Sequence, residues 1–189
     1  MTETLISKFL DGYSIEVTPR AALKIDNFAD VLPKGTRVYV AHIEGTPIDE
    51  MVSTAKKICD DGFVVMPHFP ARIIKNSNIL SEWIKRYSNE ANVDQALLIA
   101  GGANAPYGDF DSSIQLIETG LFDKHGFKRI HVAGHPEGNK DIDPDGSQKN
   151  VSEALSWKNK FSNRTNAHVA LATQFCFESG PVIKWANEI

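Results

Sequence analysis

Hydrophobic positions along the chain fall into short runs rich in Val, Ile and Ala, each followed by a stretch in which apolar residues recur at helical spacing. The runs predict strands at Tyr13 to Val17, Arg37 to Ile43, Phe63 to His68, Gln95 to Gly101, Arg129 to Gly134 and Ala167 to Phe177. The periodic stretches predict helices at Ala21 to Phe28, Ile48 to Asp60, Ile79 to Glu90, Phe110 to Thr119, Val151 to Phe161 and Val182 to Ile189. Strand then helix, six times over, is the pattern of parallel βαβ construction. The third, fourth and sixth runs are nearly continuous in apolar character, as expected when helices cover both faces of a sheet. Two start signals sharpen the helix boundaries. Pro47 follows Thr46 at a first-turn position, and Ser147 stands where it can cap the helix carrying Val151, Leu155 and Trp157. The longest polar loop, GNKDIDPDG from Gly138 to Gly146, follows the fifth strand.

Six such units fit an open doubly wound sheet, and they also fit a (β/α)8 barrel, which needs eight. A dinucleotide fingerprint would place GxGxxG between the first strand and the first helix, and that turn reads Thr18, Pro19, Arg20. Length changes the picture little: 189 residues predict one domain. The 20 basic and 24 acidic side chains give a net charge of −4 without a basic run, which argues against nucleic acid as a partner. Cys59 and Cys176 are far apart in sequence without metal-ligand spacing, and read as buried, reduced thiols. The amino-terminal MTETLISKFLDGYS lacks the basic and apolar regions of an export signal, and no window is apolar enough to span a membrane. A soluble cytoplasmic protein is the expectation.

Candidate chemistry gathers just past the carboxyl ends of the strands, where both architectures place their sites. There stand Glu16 in the first strand, His42 and Glu44 after the second, His68 after the third, and Gly101, Gly102 and Asn104 after the fourth. His135, Glu137 and Asn139 follow the fifth, and Gln174 lies in the sixth. Glu16, between Ile15 and Val17, is a carboxylate whose burial would raise its pKa toward the range of a general acid; the alternative is a glutamate paired with Arg20 or Lys24. Gln174, an amide in an apolar strand, must bond to neighbours or to a ligand. His68 reads equally as a structural histidine or a ligand contact, and His131 as a core histidine. His42, His68, His135 and Glu137 could form a metal site, although no HxH or HExxH spacing supports it. The glycines of GGANAPYGD, Gly101 to Asp109, allow close backbone approach. Lys158 and Lys160 read as a solvated helix face, or one of them as a partner for a phosphate or ribityl oxygen.

Three segments together resemble the methylenetetrahydrofolate reductase family. SIEVTPR, Ser14 to Arg20, is similar to that family's S-F-E-F-F-P-P-R strand; VAGHPEGNKDI, Val132 to Ile142, to its A-x-Y-P-E-x-H-P segment; and ATQFCFES, Ala172 to Ser179, to its T-Q-F-F-F-D. PHF at Pro67 to Phe69 resembles its P-H-L, and the order of the segments agrees along nearly the whole chain. The resemblance implies a (β/α)8 barrel of the TIM type, bound FAD, NAD(P)H as reductant, a folate substrate and a homo-oligomer. It places Glu16 at the catalytic glutamate and Gln174 at the glutamine that meets folate and nicotinamide. His68, His135, Glu137, Glu153 and Lys160 fall at or near cofactor positions. The implied reaction reduces 5,10-methylenetetrahydrofolate to 5-methyltetrahydrofolate.

The chain also departs from the family. The R-G-D after the fourth strand reads Ala100, Gly101, Gly102, the tyrosine before P-E is His135, and the histidine beyond it is Asn139. Those changes remove charges from beside an isoalloxazine, so direct reduction by the nicotinamide stands beside the flavin route. The family's barrel has two further βα units after the T-Q-F strand. Residues 1–189 are therefore expected to be a single barrel domain that is incomplete at its carboxyl end. A folate-binding or methyl-transfer barrel without reductase activity, and a metal-dependent barrel hydrolase, are the alternatives.

Overall fold

Strand order and the alternation along β1 and β2 show how this sheet is built. The computed structural model describes residues 5–189; the first four residues of the stretch read above for an export signal lie outside the described residues. The elements are α1 Leu5–Phe9, β1 Ser14–Val17, α2 Pro19–Ala22, β2 Arg37–Val40, α3 Ile48–Asp60, β3 Val64–Pro70 and α4 Ser77–Ala91. They continue with β4 Gln95–Ile99, α5 Ser113–Glu118, α6 Leu121–Lys124, β5 Arg129–Gly134, α7 Lys149–Ser162, β6 His168–Thr173 and α8 Ser179–Glu188. The six strands are all parallel and lie in the order β1-β2-β3-β4-β5-β6.

A doubly wound sheet reverses its strand order at a switch point. This sheet does not, so the doubly wound alternative falls. Because βαβ crossovers are right-handed, an unreversed order puts every connecting helix on the same face. The core shows it: Val38 and Val40, Val65 and Phe69, Ala96 and Leu98, and Ile130 and Val132 join Met51 and Ile58 of α3, Ile84 and Tyr87 of α4, Phe122 of α6 and Phe161 of α7. The alternate residues, Glu16, Tyr39, Met66, His68, Leu97 and His131 among them, point to the opposite face. That face curls into a half-barrel. The expectation of helices on both faces is thus corrected: the buried opposite face of β3 is covered by the curl of the sheet itself, with Met66 and His68 both buried.

Local capping explains where the elements depart from their predicted bounds. The helix expected at Ala21 to Phe28 is only the turn α2, started by Thr18, whose side chain accepts from Ala21 N. A separate 3-10 turn, Phe28–Asp30, is restarted by Asn27, which accepts from Ala29 N. The helix expected at Phe110 to Thr119 begins at Ser113 in a capping box of Ser112 and Gln115, and Gly120, at φ 67, separates it from α6. Ser147 does not cap α7. The buried carboxylate of Asp143 does so, accepting from Asn150 N at 3.1 Å and Val151 N at 3.0 Å, while Ser147 donates its own hydroxyl to Asp143. Both cysteines are free thiols of intermediate exposure rather than buried ones, and burial raises the Cys59 thiol to about 11. No helix among the described residues is long and apolar enough to cross a membrane.

Candidate active site

The concave face gathers its polar side chains because each stands at an outward position of the alternation and the sheet then bends around them. Glu16 of β1 and His68 of β3 meet across β2: Glu16 Oε2 lies 3.1 Å from His68 Nε2. The contact has ion-pair distance without hydrogen-bond alignment, so His68 Nε2 is buried without a hydrogen bond. Burial works against charge on both partners. It lowers the His68 imidazole to about 4, which keeps the ring neutral, and it raises the Glu16 carboxyl above its usual range although the Glu16 side chain is 57 % exposed. Arg20 and Lys24, the alternative partners for Glu16, make no ion pair with it.

Beside this pair, the Tyr39 hydroxyl of β2 lies 2.6 Å from His131 Nδ1 of β5. The Tyr39 ring meets the His68 ring edge-on at 6.3 Å between centroids. Burial, then the charges of Arg37, Arg129 and His168, lowers His131 to about 4. A neutral ring that accepts the tyrosine proton at Nδ1 carries its own proton on Nε2, and that nitrogen is buried without a partner. His131 is buried, as expected of a core histidine, and its place in the strand alternation puts it on the polar face. His42, just after β2, has its ring tilted against Trp83 at 4.9 Å between centroids, with Nε2 against the Thr46 carbonyl and Nδ1 buried without a bond.

The rim loops are tied to one another. Arg72, just after β3, reaches Asp111 at 2.8 Å, Asp141 at 3.1 Å and the Ala103 carbonyl at 3.2 Å, joining the loops after β3, β4 and β5. The glycine-rich segment after β4 uses its freedom against its own chain. A Cβ on Gly101, at φ +95, would stand 2.8 Å from Pro70 Cβ, and one on Gly108 would stand 1.9 Å from the Lys75 carbonyl. The Tyr107 hydroxyl from the same segment donates to Glu44.

The remaining predicted residues divide. His135 is half-buried at the end of β5, next to Asn139, and is lowered by burial and then by Lys158. Glu137 accepts from the Glu178 backbone N–H at 3.0 Å and so anchors the entry to α8. Gln174 lies one residue beyond β6, exposed, and not within an apolar strand as expected. Glu153 and Lys160 both stand on the exposed side of α7, each two positions on from a buried residue, Val151 and Lys158. Lys158, not Lys160, turns inward: it is 6 % exposed and donates to the Ala133 carbonyl at 2.8 Å.

Among the described residues no group of three His, Cys, Asp or Glu side chains stands close enough to hold a metal ion. No protein-family model matches this chain.

Proposed function

We propose that the chain is an NAD(P)H-dependent oxidoreductase of one-carbon metabolism that reduces 5,10-methylenetetrahydrofolate to 5-methyltetrahydrofolate, with Glu16 as the acid. The observation that carries this reading is the Glu16 and His68 pair on the concave face. A carboxyl pushed upward by burial keeps its proton to higher pH than a free glutamate, and because His68 beside it is neutral, no imidazolium charge stabilises the carboxylate and favours loss of that proton. In the reaction Glu16 gives this proton, directly or through water, to the ring nitrogen that leaves as the five-membered ring opens. The resulting iminium carbon then takes the hydride from the nicotinamide. The half-barrel orients the pterin against Glu16, whose side chain is 57 % exposed. Gln174, exposed beyond β6, stands at the rim where the substrate and the nicotinamide would meet.

The same sheet supports a barrel of the (β/α)8 type, since unreversed strand order with helices on one side is the arrangement such a barrel requires. The flavin part of the expectation is different. Of the residues assigned to it, Glu153 and Lys160 face away on α7 and Glu137 is engaged at Glu178, so the set does not converge as a cradle for FAD. The test is an absorbance spectrum of the purified protein followed by an assay of NAD(P)H oxidation. Oxidation that depends on methylenetetrahydrofolate supports the proposal; its absence with both NADH and NADPH overturns it.

A further inference from the structure

Below the Tyr39 and His131 bridge the concave face carries two cations without an anion. Arg37 stands two residues before Tyr39 in β2, and Arg129 two residues before His131 in β5. Each is therefore one pleat, about 7 Å, toward the amino end on the same face of a strand whose next inward residue meets the other's. The bridge joins the two strands above them, and Arg37 reaches Gln95, the register partner of Arg129, which brings the Arg37 guanidinium to the strand position beside Arg129. Both fields reach the same two rings, Tyr39 and His131.

Arg37 bonds to an amide and Arg129 to a ring nitrogen, neither to a carboxylate. Arg37 Nε donates to Gln95 Oε1 at 3.2 Å, and Arg129 lies 3.0 Å from His168 Nδ1. Neither arginine makes an ion pair among the described residues. Asp11 lines the same surface recess as Arg37 without pairing with it, and Glu16 is turned to His68. Both guanidinium groups are half-buried on the concave wall, and the donors that these bonds leave over have no carboxylate acceptor among the described residues. Above them the His131 Nε2 adds a third donor, on a side chain only 6 % exposed and without a hydrogen bond. The arrangement is the one that planar or tetrahedral oxyanions satisfy, since guanidinium groups bind them through paired, charge-assisted bonds.

We propose that Arg37 and Arg129, with the Nε2–H of His131 above them, form a binding site for a small oxyanion in the floor of the curled sheet. The site lies at the amino ends of the strands, away from the Glu16 pair, and does not depend on the reductase reading. The ligand chemistry is an oxygen anion presenting at least two acceptors, from a phosphate or a carboxylate.

The experiment is calorimetric titration of the full chain with inorganic phosphate and, separately, with succinate, at an ionic strength held constant with chloride. Saturable heat with phosphate assigns the site to phosphates, with succinate alone to carboxylates, and with both to oxyanions in general. Arg37→Met and Arg129→Met should each weaken binding about tenfold or more, equivalent to about 1.4 kcal/mol. Lys128→Met, which removes an exposed lysine paired with Asp94, should leave it unchanged. The titration of the unsubstituted protein decides by itself whether a site exists, whatever the stability of the variants. No saturable heat from either anion overturns the proposal, as does binding that survives in folded Arg37→Met and Arg129→Met proteins.

Discussion

The hydroxyl of Tyr39 in β2 bonds to Nδ1 of His131 in β5 at 2.6 Å, across two intervening strands. In a flat sheet those strands would lie about 14 Å apart, three spacings of about 4.8 Å, with side chains standing parallel and out of reach. The bond is thus a direct measure of the curl, and it joins the parts of the face that carry Glu16 and His68 to those that carry Arg37 and Arg129. Tyr39→Phe should lower the free energy of unfolding by about 1 to 3 kcal/mol, because it leaves the buried His131 ring without its only bond. Chemical denaturation checks this; a loss well under 1 kcal/mol would show that the bridge does not hold the curl.

Acid should destabilise the fold through its buried histidines. His68 and His131 are held at about 4 in the folded chain against 6.5 for a free imidazole. The unfolded chain therefore binds protons that the folded chain refuses, and stability falls as pH drops from 6.5 to about 4, below which these two rings contribute no further loss. Glu16, raised from 4.5, acts in the opposite direction, so the comparison belongs in a Glu16→Gln background. Denaturation midpoints across this range should fall less steeply when His68→Gln is added. An equal slope with and without His68 contradicts its buried, neutral state.

Removing Arg72 should loosen the rim without unfolding the protein. Arg72→Met severs the links to Asp111, Asp141 and the Ala103 carbonyl. Because the two carboxylates are 61 % and 62 % exposed, the global cost should be only about 1 kcal/mol. Amide exchange should instead accelerate locally, in the loops after β4 and β5. Unchanged exchange there would mean the loops hold their places through their own backbone bonds.

The loop after β4 makes a separate prediction at Gly108. A methyl group there would meet the Lys75 carbonyl, so Gly108→Ala must displace one of two bonded segments and should cost about 1 to 3 kcal/mol. Gly102→Ala, where an added Cβ meets nothing, is the control. Equal thermal midpoints for the two variants would contradict the close approach.

Strand existence and order of elements were legible in the sequence because apolar runs and helical periods differ clearly in period. The one-sided sheet was legible too, in Ser14-Ile15-Glu16-Val17, Arg37-Val38-Tyr39-Val40 and Arg129-Ile130-His131-Val132, where polar and apolar residues alternate strictly. The continuous runs of β3 and β4 hid it, since curvature buries Met66 and Leu97 without any helix above them. Glu16 and His68 could be read one by one, but their meeting across β2 is a tertiary relation with no local trace. Tyr39, Arg72 and Asp143 were missed for the same reason: their partners lie in other loops or strands, or several residues away across a turn. Lys158 was separable from Lys160 by helical phase with Val151 and Phe161, a signal present in the sequence.

The proposed reaction depends most on Glu16 as its acid. Its most direct test is the rate of NAD(P)H oxidation with methylenetetrahydrofolate by the unsubstituted protein and by Glu16→Gln, each shown to be folded by circular dichroism. Glu16→Gln should turn over at least about a hundredfold more slowly, the usual contribution of a positioned acid. A near-equal rate in the two proteins would contradict it.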